Sequence, residues 1–362
     1  MYDFRIADVA LRSEMALPSY AAFAAETSEP DVTLLMTDEK APSGQEIVSG
    51  DIVHRKLPDG WFCHGLRGDD EGMFISGDYS LLRYKGKNSP SGARAAERYM
   101  RLALECLLIR RGFVSMHAAA VELDGEAYAF TGPSGVGKST RAKAWTDALG
   151  ARLISGDRPL IRVETTELFG VPWDGKEQCF RSVRFPLKAV CEVYRGEQLQ
   201  AKKMSVSQCR RLLVKQCFLP MWDTETAMLQ MENIFRLAGS GLMLRTFGGR
   251  SPEDAERLHG MIVGNSYLKE EPDVKAKPGF VLRKVAGEYM LMPTDRNIGV
   301  YKGAVLLNGV SAFIWEKMQK DVSRDELLSA VLNEFDTDGD TAAKDLDALL
   351  EKLDKMELIE RG

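Results

Sequence analysis

The stretch Gly132–Ser139, GPSGVGKS, constrains this 362-residue chain more than any other. It satisfies G-x-x-x-x-G-K-[ST] in full, with a β-rich run, AYAF, before it and a helix-forming run, STRAKAWTDALG, after it. Glycines let successive backbone N–H groups turn inward around phosphate oxygens, Lys138 reaches the terminal phosphates, and the Ser139 hydroxyl ligates Mg²⁺. A helix opening at the loop adds its own partial positive charge. Strand, Gly-rich turn and helix are required in that order, so an α/β unit is expected here. Gly132, Pro133, Ser134, Gly135, Val136, Gly137, Lys138, Ser139 and Thr140 are the candidate nucleotide-binding residues, with ATP and Mg²⁺ as the expected ligands. No guanine-reading N-K-x-D motif lies near them.

A second candidate is Asp157 in RLISGDRP. The apolar run before it places a carboxylate at the end of a strand adjoining the loop, where it can anchor Mg²⁺ with Ser139 or take a proton from an attacking hydroxyl. The plain alternative is an Asp opening a turn before Pro159. His117, in SMHAAAV, is expected on a strand just before the loop, where a structural histidine among small apolar neighbours is the competing reading. His54, His64 and His259 show no metal spacing. DTDGD, Asp336 to Asp340, fails as a calcium loop, because its glycine falls at the fourth position and no Glu closes it.

Composition removes several classes. The formal charge of -5 offers no global attraction to nucleic acid. No run approaches ~18 uninterrupted apolar residues, so no membrane span is expected. The start, MYDFRIADVALRSEM, is too charged for a signal peptide, and the six cysteines form no framework spacing. Reduced thiols in a cytoplasmic protein are the expectation.

Short β-like runs (DVTLLM, WFCHGL, GMFISG, SLLRYKG) fill the first hundred residues, followed by a helix over SGARAAERYMRLALECLLIRR ended by Gly112. SMHAAAVEL and EAYAFTG read as strands, and ARLISGDRPLIRVE as one more. KEEPDVKAKPG, Lys269 to Gly279, has two prolines and many charges, the composition of a linker. After it come strands FVLRKVAG and EYMLMP and three amphipathic helical stretches. The expected domains are a mixed α/β lead-in (1–112), a P-loop domain (113–268), a linker (269–278) and a C-terminal domain (279–362).

The run HAAAVELDGEAYAFTGPSGVGKST…RLISGDRP resembles the HPr kinase/phosphorylase family, over roughly Ser115 to Val263. The resemblance implies a PEP-carboxykinase-like P-loop core that phosphorylates a protein serine. It is closer to relatives encoded with peptide-modification systems, in which GVPWDGKE, Gly170 to Glu177, looks like a characteristic second loop. The parent family carries two adjacent Asp where this chain has Gly156-Asp157. A single carboxylate then does the work of two, or Glu177 supplies the missing role. The parent enzymes form hexamers, so an oligomer stays open.

The C-terminal run VLRKVAGEYMLMP…LNGVSAFIWE…LLEKLDKMELI resembles the PqqD-like peptide-recognition domain, spanning almost all of Gly279 to Ile359. Asn308 is expected to cap the helix carrying Phe313 and Trp315. That resemblance implies a winged-helix-like unit beside whose sheet a leader peptide adds as an extra strand, in a groove against a helix. A DNA-binding winged helix needs a basic recognition helix, yet Asp321–Gly362 holds 13 acidic and 5 basic residues, a net of -8. The fold class expected is thus α/β (α+β), a PEP-carboxykinase-like core plus a PqqD-type domain. The expected activity is ATP-dependent phosphorylation of a Ser/Thr hydroxyl on a ribosomal precursor peptide, with Asp157, His117, Lys138 and Glu177 in catalysis. The alternatives are a non-catalytic nucleotide-binding chaperone and an HPr-type regulatory kinase.

Overall fold

The computed structural model describes residues 1–66, 68–173, 178–196, 198–249, 251–267, 273–294 and 304–361. The chain divides into two units, Met1–Lys269 and Glu270–Gly362. Architecture is mixed α/β in several sheets. No helix among the described residues is long and apolar enough to cross a membrane.

The first unit opens with an eight-stranded sheet. Its strands from Glu46–Ser49 to Leu81–Lys85 form an antiparallel meander, as the short β-like runs suggest. Val32–Met36 then joins that meander to Val9–Ser13 through two parallel pairings. Helix α1, Pro90–Arg110, packs on this sheet and buries Met100, Leu104, Cys106 and Leu108. Ser89 caps it by accepting from Gly92 N, Pro90 occupies its first turn, and Gly112 leaves it at φ +79°. The sheet also buries His54, stacked on Trp222 with ring centroids 3.8 Å apart. Burial lowers the His54 pKa to about 4, so the imidazole stays neutral.

A second sheet, of nine strands, carries the phosphate-type loop. Its spine is the 11-residue strand Arg184–Tyr194. The N-terminal part of that strand pairs with Glu167–Phe169, and its later part runs parallel with Glu126–Thr131 and Met243–Phe247. Arg152–Ser155 forms the outer edge beside Ala118–Leu123. Helix α2, Lys138–Leu149, lies on one face beside α5, Pro252–Val263, while α3, Val206–Gln216, and α4, Thr224–Ala238, cover the other. Polar braces join this sheet's helices to the N-terminal part. The Tyr79 hydroxyl donates to Asp223 Oδ2 at 2.5 Å, Arg110 Nε to Thr226 Oγ1 at 3.1 Å and Asn233 Nδ2 to the Ile109 carbonyl at 2.9 Å.

Two expectations change here. SMHAAAVEL is not one strand: Phe113–Ser115 pairs with Leu160–Arg162, whereas Ala118–Leu123 pairs with Glu126–Thr131. His117 stands at the corner between them. ARLISGDRPLIRVE likewise breaks into Arg152–Ser155 and Leu160–Arg162, with Gly156–Pro159 outside both strands. The two breaks have one cause, since the chain leaves one part of the sheet and enters another at each of them.

In the second unit, three antiparallel strands, Phe280–Val285, Glu288–Pro293 and Val305–Leu307, pack with α6 (Gly309–Lys317), α7 (Arg324–Glu334) and α8 (Gly339–Lys355). Asn308 caps α6 by accepting from Ser311 N at 2.8 Å. Trp315 is buried and Phe313 half-buried. A capping box, Ser323 with Glu326, opens α7. Asp338 of DTDGD caps α8, which gives that acidic run a structural use.

The linker expectation also needs correction. Val274–Ala276 forms a strand paired antiparallel with Ile359–Arg361, and Val274 is buried. Val274–Ala276, within that expected linker, therefore belongs to the fold of this unit. Burying one valine is worth roughly 1.5–3 kcal/mol. A fragment beginning at Asp273 should fold alone and melt well above one beginning at Pro278. Equal melting of the two by circular dichroism would contradict that assignment.

Candidate functional site

The site forms where the strand Glu126–Thr131 ends, the loop Gly132–Gly137 turns and α2 begins. Gly135 and Gly137 have φ of +77° and +114°, and a Cβ on either would meet nothing within 4 Å. The demand for glycine is thus torsional: only it adopts this backbone without strain. Ser139 and Thr140 are exposed at the first turn of α2, beside the free N–H groups of a helix start.

Lys138 is nine-tenths buried. Its ammonium donates to the carbonyls of Gly132 at 3.0 Å and Pro133 at 3.1 Å, so it lies along the loop. Burial lowers its pKa, while the Asp157 carboxylate acts in the opposite sense. A lysine held by two neutral carbonyls exchanges them readily for phosphate oxygens, which make stronger, charge-assisted hydrogen bonds.

The two strand breaks bring His117 and Asp157 together. His117 Nε2 lies 3.8 Å from Asp157 Oδ1, too far for a hydrogen bond. The His117 N–H donates to the Gln216 carbonyl at 2.8 Å, and its own carbonyl accepts from Thr131 Oγ1 at 2.8 Å. Its backbone thereby ties α3 to the strand feeding the loop. Burial first, then the Lys138 charge, lower the His117 pKa, and Asp157 opposes them. The net effect favours the neutral ring.

Asp157 Oδ1 is buried with no hydrogen-bond partner among the described residues, and so is Arg158 Nη1. Arg158 has φ +38°, a left-handed conformation costing a non-glycine residue on the order of 1–2 kcal/mol. Three contacts hold that turn. The Trp173 indole N–H donates to the Arg158 carbonyl at 3.1 Å, Ser155 Oγ donates to the Asp157 carbonyl, and Met116 N donates to the Pro159 carbonyl at 3.2 Å. Backbone strain and unsatisfied buried polar atoms in one turn mark a candidate functional site. An orphaned carboxylate oxygen and an exposed hydroxyl at a helix start suit a hard, oxygen-seeking cation such as Mg²⁺. The described residues form no cluster of three or more His, Cys, Asp or Glu that would hold a metal without a ligand's help.

Of the predicted residues, the structure gathers Gly132–Thr140, Lys138, His117 and Asp157. Glu177, with Lys176, lies outside the described residues. Trp173 and Gln216 were not singled out from the sequence. Trp173 falls in the flagged GVPW run, but nothing in that run announces a hydrogen bond to the Asp157–Arg158 turn.

In the second unit a cavity of about 250 Å³ lies between Phe280–Val285 and α6, lined by Phe280, Leu282, Trp315 and Gln319. The strand Val305–Leu307 forms the other edge of the described sheet, with Leu306 largely exposed.

Residues 288–359 match the family described as coenzyme PQQ synthesis protein D (PqqD). The C-terminal unit carries a PqqD domain. The match covers only this part of the chain, and the loop-bearing unit lies outside it. Among solved structures, that of TbiB1 in complex with the TbiA(beta) leader peptide is 23% identical. It covers 24% of this chain and 94% of that one, at a TM-score of 0.20. No curated protein matches the chain.

If the loop is a phosphate cradle, Lys138→Ala should weaken Mg·ATP binding at least about tenfold, the scale of one charge-assisted contact. Calorimetry on a folded variant with unchanged affinity would refute the cradle.

Proposed function

We propose that this chain is an ATP-dependent kinase that phosphorylates a Ser or Thr hydroxyl of a ribosomally made precursor peptide held by its PqqD domain. One combination carries the reading: a complete phosphate-type loop beside a carboxylate with one buried oxygen that no hydrogen bond satisfies, in the same chain as a PqqD domain. The resemblance of residues 115–263 to protein-serine kinases supports transfer over simple binding, and the acidic C-terminal helices disfavour nucleic acid as the partner.

In this reading the inward N–H groups of Gly132–Thr140 hold the phosphates, and Lys138 leaves the Gly132 and Pro133 carbonyls to meet the β and γ oxygens. Ser139 and Asp157 would hold Mg²⁺, which offsets phosphate charge when bound. The acceptor oxygen forms a bond to the γ phosphorus as the bond to the β-bridging oxygen breaks, and ADP leaves. Asp157 takes the hydroxyl proton or orients that hydroxyl. His117 stands beside it, its ring shifted toward the neutral form by burial. Arg158 Nη1, unpartnered in the described structure, is available to the oxygens of the transferring group.

The PqqD domain contributes proximity. A leader adding as a strand to an edge of the three-stranded sheet would gain affinity from backbone hydrogen bonds and specificity from alternate side chains. Covalent linkage to the loop-bearing unit then raises the acceptor's effective concentration. A non-catalytic peptide chaperone using nucleotide as a switch is the competing reading, favoured by the single Asp157 where the parent family has two.

With ATP, Mg²⁺ and a candidate precursor peptide, Asp157→Asn should lower transfer at least ~100-fold, the scale of general-base loss, with the fold intact. Deleting the leader should raise KM and leave kcat nearly unchanged. Transfer by Asp157→Asn at the wild-type rate would remove the assigned role, and equal KM with and without leader would remove the capture role.

A further inference from the structure

A cleft of about 450 Å³ runs along the open flank of α2, lined by Ala119, Ser139, Ala142, Thr146, Leu153 and Gly156. We infer that it receives an apolar side chain of the acceptor peptide, next to the hydroxyl that is phosphorylated. This rests on the kinase reading above.

Position makes the first argument. One end of the cleft is bounded by Ser139 and Thr140, the loop's hydroxyls, and by Gly156, the residue before Asp157. The terminal phosphate must lie between those two groups for Lys138 and Asp157 to act on it. A nucleoside leaves from the other end of the phosphate chain, so the space opening beside Gly156 lies on the acceptor's side. The opposite flank of α2 is already filled. Arg141 there donates to Thr246 Oγ1 at 2.7 Å and to the Gly248 carbonyl, and α5 buries Ala255, Leu258 and Ile262 against the same cluster as Trp145.

Chemistry makes the second. Ala119, Ala142 and Leu153 give the cleft an apolar floor, with small side chains leaving the volume free. Lys143, which also lines the cleft, is paired with Asp147 at 2.8 Å, which offsets its charge at the rim. Ser139 and Thr146 stand seven residues apart on one face of α2, which makes the cleft roughly 10 Å long. A volume of a few hundred Å³ with apolar walls and a few hydroxyls suits an organic side chain rather than an ion.

The test uses the full chain, Mg·ATP and a positional-scanning library of peptides with one central Ser. Wild type should prefer an apolar residue at one position flanking the Ser. Thr146→Trp, at a half-buried position, fills the cleft. It should abolish that preference and raise peptide KM about tenfold or more, the scale of a hydrophobic pocket contact, with Mg·ATP affinity unchanged. Leu153→Ala, which enlarges the cleft, should shift the preference to a bulkier residue and serves if the first variant does not fold. An active enzyme with no flanking preference, or with one that neither variant alters, would overturn the inference alone. Weakened nucleotide binding with unchanged peptide KM would assign the cleft to the nucleobase and also overturn it. A wild type that binds Mg·ATP but phosphorylates no library or precursor peptide would remove the kinase reading and this inference with it.

Discussion

The left-handed turn at Arg158 is the constraint on which the candidate site depends. It carries the chain off the edge strand Arg152–Ser155 and onto Leu160–Arg162, and in doing so leaves Asp157 beside the loop with an unpaired oxygen. The conformation costs free energy at a non-glycine residue. It persists because Trp173, Ser155 and Met116 fix three consecutive carbonyls, those of Arg158, Asp157 and Pro159. A second departure from the sheet, at His117, faces the first, anchored by Gln216 and Thr131. The N-terminal part of the chain supports both breaks: Phe113, Leu160, Phe169 and Trp173 share a core with the eight-stranded sheet and α1.

How much of this was legible in the sequence depended on whether the cause was local. The loop was, because torsional demand at Gly135 and Gly137 and the need for Lys138 and Ser139 write themselves into eight consecutive positions. The cap at Asn308 was also local and read correctly. The breaks at His117 and Asp157 were not, since SMHAAAV and RLISGDRPLI continue an apolar pattern that a single strand would also satisfy. Their breaking follows from pairing between Ser115 and Leu160, 45 positions apart. The strand Val274–Ala276 was hidden for the same reason: its surroundings are charged and Pro-rich, and its partner is the far end of the same unit. Asp157 was identified as a carboxylate near the loop, but only the fold reveals that its oxygen and Arg158 Nη1 are both buried without partners.

The proposed function assigns the two units different work on physical grounds. The loop-bearing unit holds positive charge, strain and unpaired polar atoms, features that suit charge stabilisation at a reacting phosphate but offer little selectivity for a long peptide. The PqqD domain has its own compact core around Trp315, Leu346 and Leu350 and edge strands suited to capturing an extended segment. Under the proposed function, joining them would let affinity be set in one place and chemistry in another, so the acceptor sequence would need to satisfy only the short stretch around its hydroxyl.

The most direct measurement is the intact mass of a candidate precursor peptide, sought among those encoded beside the gene, after incubation with the full chain, Mg²⁺ and ATP carrying ¹⁸O on its γ-phosphoryl group. The account predicts one added phosphoryl group bearing the label, located by fragmentation on a Ser or Thr outside the leader. Nucleotide binding accompanied by an unmodified peptide would contradict it and leave the loop as a switch for a peptide-binding protein.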